Sequence, residues 1–89
     1  MRTLHKNSFS RNLKKITHAT LKAEIRQTIE TVRNATTMQE IPDLKKMKGS
    51  KNSYRIKVSG DYRIGVDIVG DLVTFRTCKP RKDFYKLFP

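Results

Sequence analysis

The chain has 89 residues, with 20 Lys and Arg against 8 Asp and Glu and a net charge of +12. That length holds one domain, residues 1–89, with one modest core, and excludes a second folding unit. So lopsided a charge opposes the compact state by self-repulsion and points to a polyanionic partner, either a nucleic acid or an acidic segment of another protein. The single cysteine, Cys78, excludes an internal disulfide; without clustered His or a second thiol, neither a metal site nor a cofactor is expected. No apolar run approaches the roughly 18 residues of a membrane span. Residues 1–9, MRTLHKNSF, lack the apolar stretch of a secretion signal, so the expectation is a cytoplasmic protein with no membrane partner.

In chain order, RTLHK at 2–6 reads as a short strand. Ser8 suits a helix N-cap, and Phe9, Leu13 and Ile16 recur at helical spacing, which predicts a short first helix. From 19 to 34, Leu21, Ile25, Thr28, Ile29 and Val32 form one stripe while Lys22, Glu24, Arg26, Glu30 and Arg33 fall elsewhere, the pattern of an amphipathic helix. Residues 35–53, with Pro42, Gly49 and polar clusters, read as loop with a brief extended piece around MQEIPDL. Met38 and Met47 are expected to pack where it crosses the domain. A loop this long in a compact domain often belongs to a site.

Three strands follow, at 54–58, 62–68 and 72–78, linked by Ser59-Gly60-Asp61 and Gly70-Asp71. Tyr54, Ile56 and Val58, then Tyr62, Ile64, Val66 and Ile68, share one face, and Arg55, Lys57, Arg63 and Asp67 the other. In the third strand Val73, Phe75 and Thr77 alternate with Leu72, Thr74, Arg76 and Cys78. Two helices can cover the apolar face, which leaves an open face holding Arg55, Lys57, Arg63 and Arg76. Cations on the solvent side of strands also serve as edge protection. Four of them offset only by Asp67, a partner for Arg55 or Arg76, favour a binding surface. Cys78 reads as a half-buried strand residue with no His in range to activate it. His5 and His18 lie away from the cationic face and read as structural.

The final stretch, CKPRKDFYKLF, interleaves Lys79, Arg81, Lys82 and Lys86 with Phe84, Tyr85 and Phe88. Cations grip phosphates and aromatic faces stack on unpaired bases, a combination suited to single-stranded RNA. If the stretch is helical, Phe84 and Phe88 share a face and fill the core, while Tyr85 points elsewhere.

Three runs carry a family resemblance: Tyr54-Arg55-Ile56-Lys57-Val58, Gly60-Asp61-Tyr62-Arg63-Ile64 and Arg81-Lys82-Asp83-Phe84-Tyr85, preceded by LKKMKGSKN. Together with the order of short strand, two helices and three-stranded meander, they resemble the RelE/ParE superfamily of toxins from type II toxin–antitoxin pairs. The resemblance implies an α+β fold: a short N-terminal strand, two helices on one face of an antiparallel sheet, a three-stranded C-terminal meander and a short helical tail. In the RelE-like branch it implies a metal-independent endoribonuclease that cleaves mRNA on the translating ribosome. The ParE-like branch instead poisons DNA gyrase. A third reading is a non-catalytic basic RNA-binding module.

Carried over position by position, Lys57 matches the branch's general base, Arg63 and Arg81 the residues that neutralise the phosphate, and Tyr85 the tail tyrosine that contacts the substrate base. Arg55, with Lys51, Arg76, Lys79 and Lys82, completes the expected phosphate-binding set. Independently of the family, 2′-hydroxyl attack needs a base, charge stabilisation at the phosphorane and a proton donor to the 5′ oxygen. Like charges at Arg55 and Arg63 would favour the neutral lysine that such a base requires. The implied partners are a cognate antitoxin, in a toxin–antitoxin hetero-oligomer, and mRNA with the ribosome and its 16S rRNA.

Overall fold

Five strands and three helices account for most of the chain in the computed structural model, which describes all of residues 1–89. They run β1 (Arg2–His5), α1 (Asn7–Lys15), α2 (Ala19–Asn34), β2 (Leu44–Lys46), β3 (Ser53–Val58), β4 (Tyr62–Val69), β5 (Leu72–Pro80) and α3 (Arg81–Leu87). Phe9 from α1 and Leu21, Ile25 and Val32 from α2 are buried with Ile56, Ile64, Val66, Ile68, Val73 and Phe75 of the sheet, as the two periodicities predict. Helix α1 begins two residues earlier than expected. Lys6 is its N-cap, and Ser8 sits inside the helix, where its hydroxyl donates to the Arg76 carbonyl of β5. His18 caps α2, its Nδ1 accepting from the Leu21 N–H at 3.3 Å. Within 35–53, Met38–Glu40 forms a 3-10 turn, and the extended piece falls at β2 instead of around MQEIPDL. Pro42 has no N–H for a ladder, and Asp43 takes a φ of 60°, so pairing starts only at Leu44.

The sheet order is β1-β5-β4-β3-β2. It is mixed, not wholly antiparallel as expected, because β1 lies parallel to β5, pairing Arg2 with Leu72 through His5 with Phe75. A parallel neighbour needs a long connection. The chain between β1 and β5 supplies it and leaves α1 packed on β5.

A bulge interrupts β5. Val66 pairs with Phe75 and Gly65 with Thr77, so Arg76 is the extra residue. The alternation predicted for this strand therefore inverts beyond Phe75. Cys78, expected to be half-buried opposite Phe75, enters the core at 2% exposure, where burial pushes its thiol up to about 12. Asn12 of α1 secures the bulge, its Oδ1 accepting from the Cys78 N–H and the Thr77 hydroxyl, both at 2.9 Å.

Helix α3 folds back across the face that α1 and α2 leave free. Phe84 and Phe88 are buried there, their rings 5.2 Å apart, in an apolar cluster separate from the main core. Gly65 makes the seat: a Cβ at this position would lie 2.9 Å from Thr77 Cγ2 and 3.0 Å from both Phe84 Cε1 and Phe88 Cδ1. The face expected to be open is thus roofed at its centre.

Candidate nucleic-acid interface

Strand pairing brings the cations together. Lys57 of β3 lies opposite Arg63 of β4, which lies opposite Lys79 of β5, so three positive residues form one rung across the sheet. Like charges directly opposite on a sheet destabilise it. None of the chain's ion pairs involves a member of this rung, which leaves it open to an anion from outside the chain. Arg63 is 7% exposed; its Nη1 donates to the carbonyls of Gly60 at 3.2 Å and Tyr62 at 2.9 Å, and its Nε is buried without an acceptor. Leaving such a donor unpaired costs about 1–3 kcal/mol. Arg55, two residues before Lys57, donates Nη1 to the Asp43 carbonyl at 2.9 Å and stays half-exposed.

Helix α3 supplies the other wall. Its first residue is tied to the β3–β4 turn, the Arg81 N–H donating to the Asp61 carbonyl at 2.6 Å. Arg81 and Tyr85, one helical turn apart, line an open groove of about 670 Å³ with Asp61, Tyr62, Pro80 and Lys82. Burial pushes the Tyr85 hydroxyl up, but the neighbouring guanidiniums of Arg63 and Arg55 favour the phenolate and outweigh this, so the phenol lies below its ordinary value. The Tyr85 ring remains 47% exposed.

Of the residues named from sequence, Lys57, Arg63 and Lys79 meet in the sheet rung, Arg81, Lys82 and Tyr85 meet at the α3 groove, and Arg55 meets Tyr85 beside it. Arg76 and Lys51 do not. Arg76 pairs with Asp67 at 3.3 Å and lies 5.2 Å over the Phe88 ring, where it helps to hold α3 down. Lys51 belongs to the turn before Ser53, at the opposite end of β3 from Lys57. Sequence reasoning missed Tyr62 as a groove residue because alternation assigned it to the apolar face; its place at the hairpin tip was the available signal. The histidines stay structural. His5 packs edge-on against Phe9 and Phe75, and burial followed by the charge of Arg33 lowers its pKa. Neither histidine lines this groove.

Such a site can bind a phosphodiester at the cation rung, present a guanidinium fork to it from Arg81 and offer the Tyr85 ring to a neighbouring base. No helix of the chain is long and apolar enough to cross a membrane.

No model of a known protein family matches the chain. Over its full length it is 37% identical to toxin RelE3 of Methanocaldococcus jannaschii, all of which is covered. The crystal structure of the RelB–RelE antitoxin–toxin complex from Methanococcus jannaschii contains a chain that superposes with a TM-score of 0.80 at 35% identity, over 97% of this chain and 99% of that one. A chain of the archaeal RelE–RelB complex from Pyrococcus horikoshii shares the fold at 18% identity, with a TM-score of 0.68 over 90% and 93% of the two chains. Identity of 37% to a RelE toxin along the whole chain, on the fold of a RelE structure, makes this chain a member of the RelE toxin family.

Proposed function

We propose that the protein is the toxin of a toxin–antitoxin pair and an endoribonuclease that cleaves mRNA on the translating ribosome. The observation that carries this reading is the Lys57–Arg63–Lys79 rung, none of whose members is ion-paired, on the sheet from which α3 presents Arg81 and Tyr85 at an open groove. In the reaction, Lys57 takes the proton of the 2′-hydroxyl, and the 2′ oxygen attacks the adjacent phosphorus. The phosphorane's added charge falls to Arg81 and the rung, and the bond to the 5′ oxygen breaks as that oxygen takes a proton from water. The products are a 2′,3′-cyclic phosphate and a free 5′-hydroxyl. Tyr85, steadied by Arg63 and Arg55, holds its ring against the substrate base, a contact of about 1–3 kcal/mol.

A site built mainly from charge does little to orient a flexible message, and the ribosome supplies that order. The RelE structures named above are complexes with an antitoxin, which supports a cognate antitoxin for this chain. An acidic partner segment also suits a protein of net charge +12.

The test is induction of the wild-type chain, Lys57→Ala and Arg81→Ala in bacteria, with primer extension on an abundant message. Growth arrest with discrete new 5′ ends, lost in both variants, is expected. Arrest without new ends would show that the target is not mRNA and overturn the reading.

A further inference from the structure

Tyr85 and Arg55 border a second cavity, of about 350 Å³, on the side away from Arg81. Lys45, Lys46, Met47 and Lys48 form its far wall, so four of its eight lining residues are cations and none is acidic. The register places Lys45 of β2 directly opposite Arg55 of β3, a second like-charge pair beside the first rung. Both Lys45 and Lys48 are exposed, and neither has a hydrogen-bond or ion-pair partner. Lys46 is different, since its ammonium is held by the Ser50 carbonyl at 2.5 Å.

We infer that Lys45 and Lys48, with Arg55, form a phosphate-binding subsite for the nucleotides flanking the cleaved bond. This deepens the endoribonuclease reading and rests on it. Backbone phosphates of a single strand repeat on both sides of any scissile position. A cavity that shares Tyr85 with the catalytic groove, whose charged side chains are all cations and which opens to solvent, is where the next of them arrive. Lys45 stands on a paired strand, so part of the subsite is preformed. The strand leaves the catalytic groove by passing Tyr85, which lines both cavities. The subsite thus binds substrate without touching the reacting atoms.

The full-length chain is titrated with a short, uncleavable 2′-O-methylated single-stranded RNA over a series of salt concentrations. Each phosphate contact contributes about 0.7 to the slope of log K against log salt for a single strand, so Lys45→Gln/Lys48→Gln lowers that slope by about 1.4. The control Lys14→Gln/Lys15→Gln removes equal charge from exposed positions of α1 and leaves the slope near the wild-type value. With programmed ribosomes, the Lys45/Lys48 variant raises KM and leaves kcat unchanged. An unchanged slope and KM in a variant whose wild-type parent still cleaves mRNA overturns the subsite and leaves the endoribonuclease reading intact. A wild-type chain that binds the RNA but cleaves no message overturns the endoribonuclease reading, and the subsite falls with it.

Discussion

Replacing Gly65 by alanine tests whether α3 is seated on the sheet as described. The new methyl would approach Thr77 Cγ2 at 2.9 Å and the Phe84 and Phe88 rings at 3.0 Å. Two responses compete. The helix can detach, which surrenders the burial of two phenylalanines at about 1.5–3 kcal/mol each. Alternatively it can stay and shift, for the strain of about 1–3 kcal/mol typical of one surplus methyl group in a packed cluster. Shifting is the cheaper response, so stability should fall by about 1–3 kcal/mol. Activity should suffer more, because Arg81 and Tyr85 ride on the same helix and a misplacement of about 1 Å can cost about 10²-fold in rate. Urea unfolding gives the first quantity and cleavage of mRNA on programmed ribosomes the second. Adding Phe88→Leu to Gly65→Ala frees space beside the methyl and should restore part of both losses. A Gly65→Ala protein with wild-type midpoint and wild-type cleavage would refute the claim that this glycine sets the position of the helix that carries Arg81 and Tyr85.

Two further outcomes follow from specific contacts. Tyr85 should titrate below the ordinary phenol value of about 10, read as tyrosinate absorbance. Arg63→Gln removes the largest lowering influence and should move the titration up, by more than Arg55→Gln does; an unmoved titration in both would mean that the hydroxyl does not face these guanidiniums. Asn12→Ala takes away the one acceptor that serves both the Cys78 N–H and the Thr77 hydroxyl, so unfolding should become easier by about 1–3 kcal/mol. A change below about 0.5 kcal/mol, the range of ordinary surface substitutions, would show that the bulge does not depend on this side chain.

Much of the site was legible in local pattern. Tyr54 to Val58 and Tyr62 to Ile68 alternate strictly around a three-residue turn, and a period of two fixes which side chains share a face once a hairpin closes. That is why alternation alone puts Arg55, Lys57 and Arg63 together, and why the stripe of α2 predicts its buried side. The spacing of Arg81 and Tyr85 likewise implies one helical turn. What local pattern could not carry was any feature that depends on residues distant in sequence. Strand β2 has only three residues and no alternation of its own; pairing with β3 makes it a strand and brings Lys45 beside Arg55. The parallel placement of β1 depends on β5, some seventy residues later. One extra residue at Arg76 inverts every later side chain of β5, sending Cys78 inward, and Asn12 of a distant helix stabilises that choice.

Tertiary structure also decided which face α3 covers. Phe84 and Phe88 advertise an apolar face equally well for either side of the sheet; the absence of a Cβ at Gly65 opens a seat on the side that α1 and α2 leave vacant. That choice turns a tail with a tyrosine into the wall of a groove, buries Arg63 and removes Arg76 from the free cations by pairing it with Asp67 beneath Phe88. Charge and periodicity are properties of short windows of chain, so the sequence by itself determined that this protein carries a cationic strand face and an aromatic tail. Their meeting at one site is set by packing between segments far apart in sequence, which only the folded chain decides.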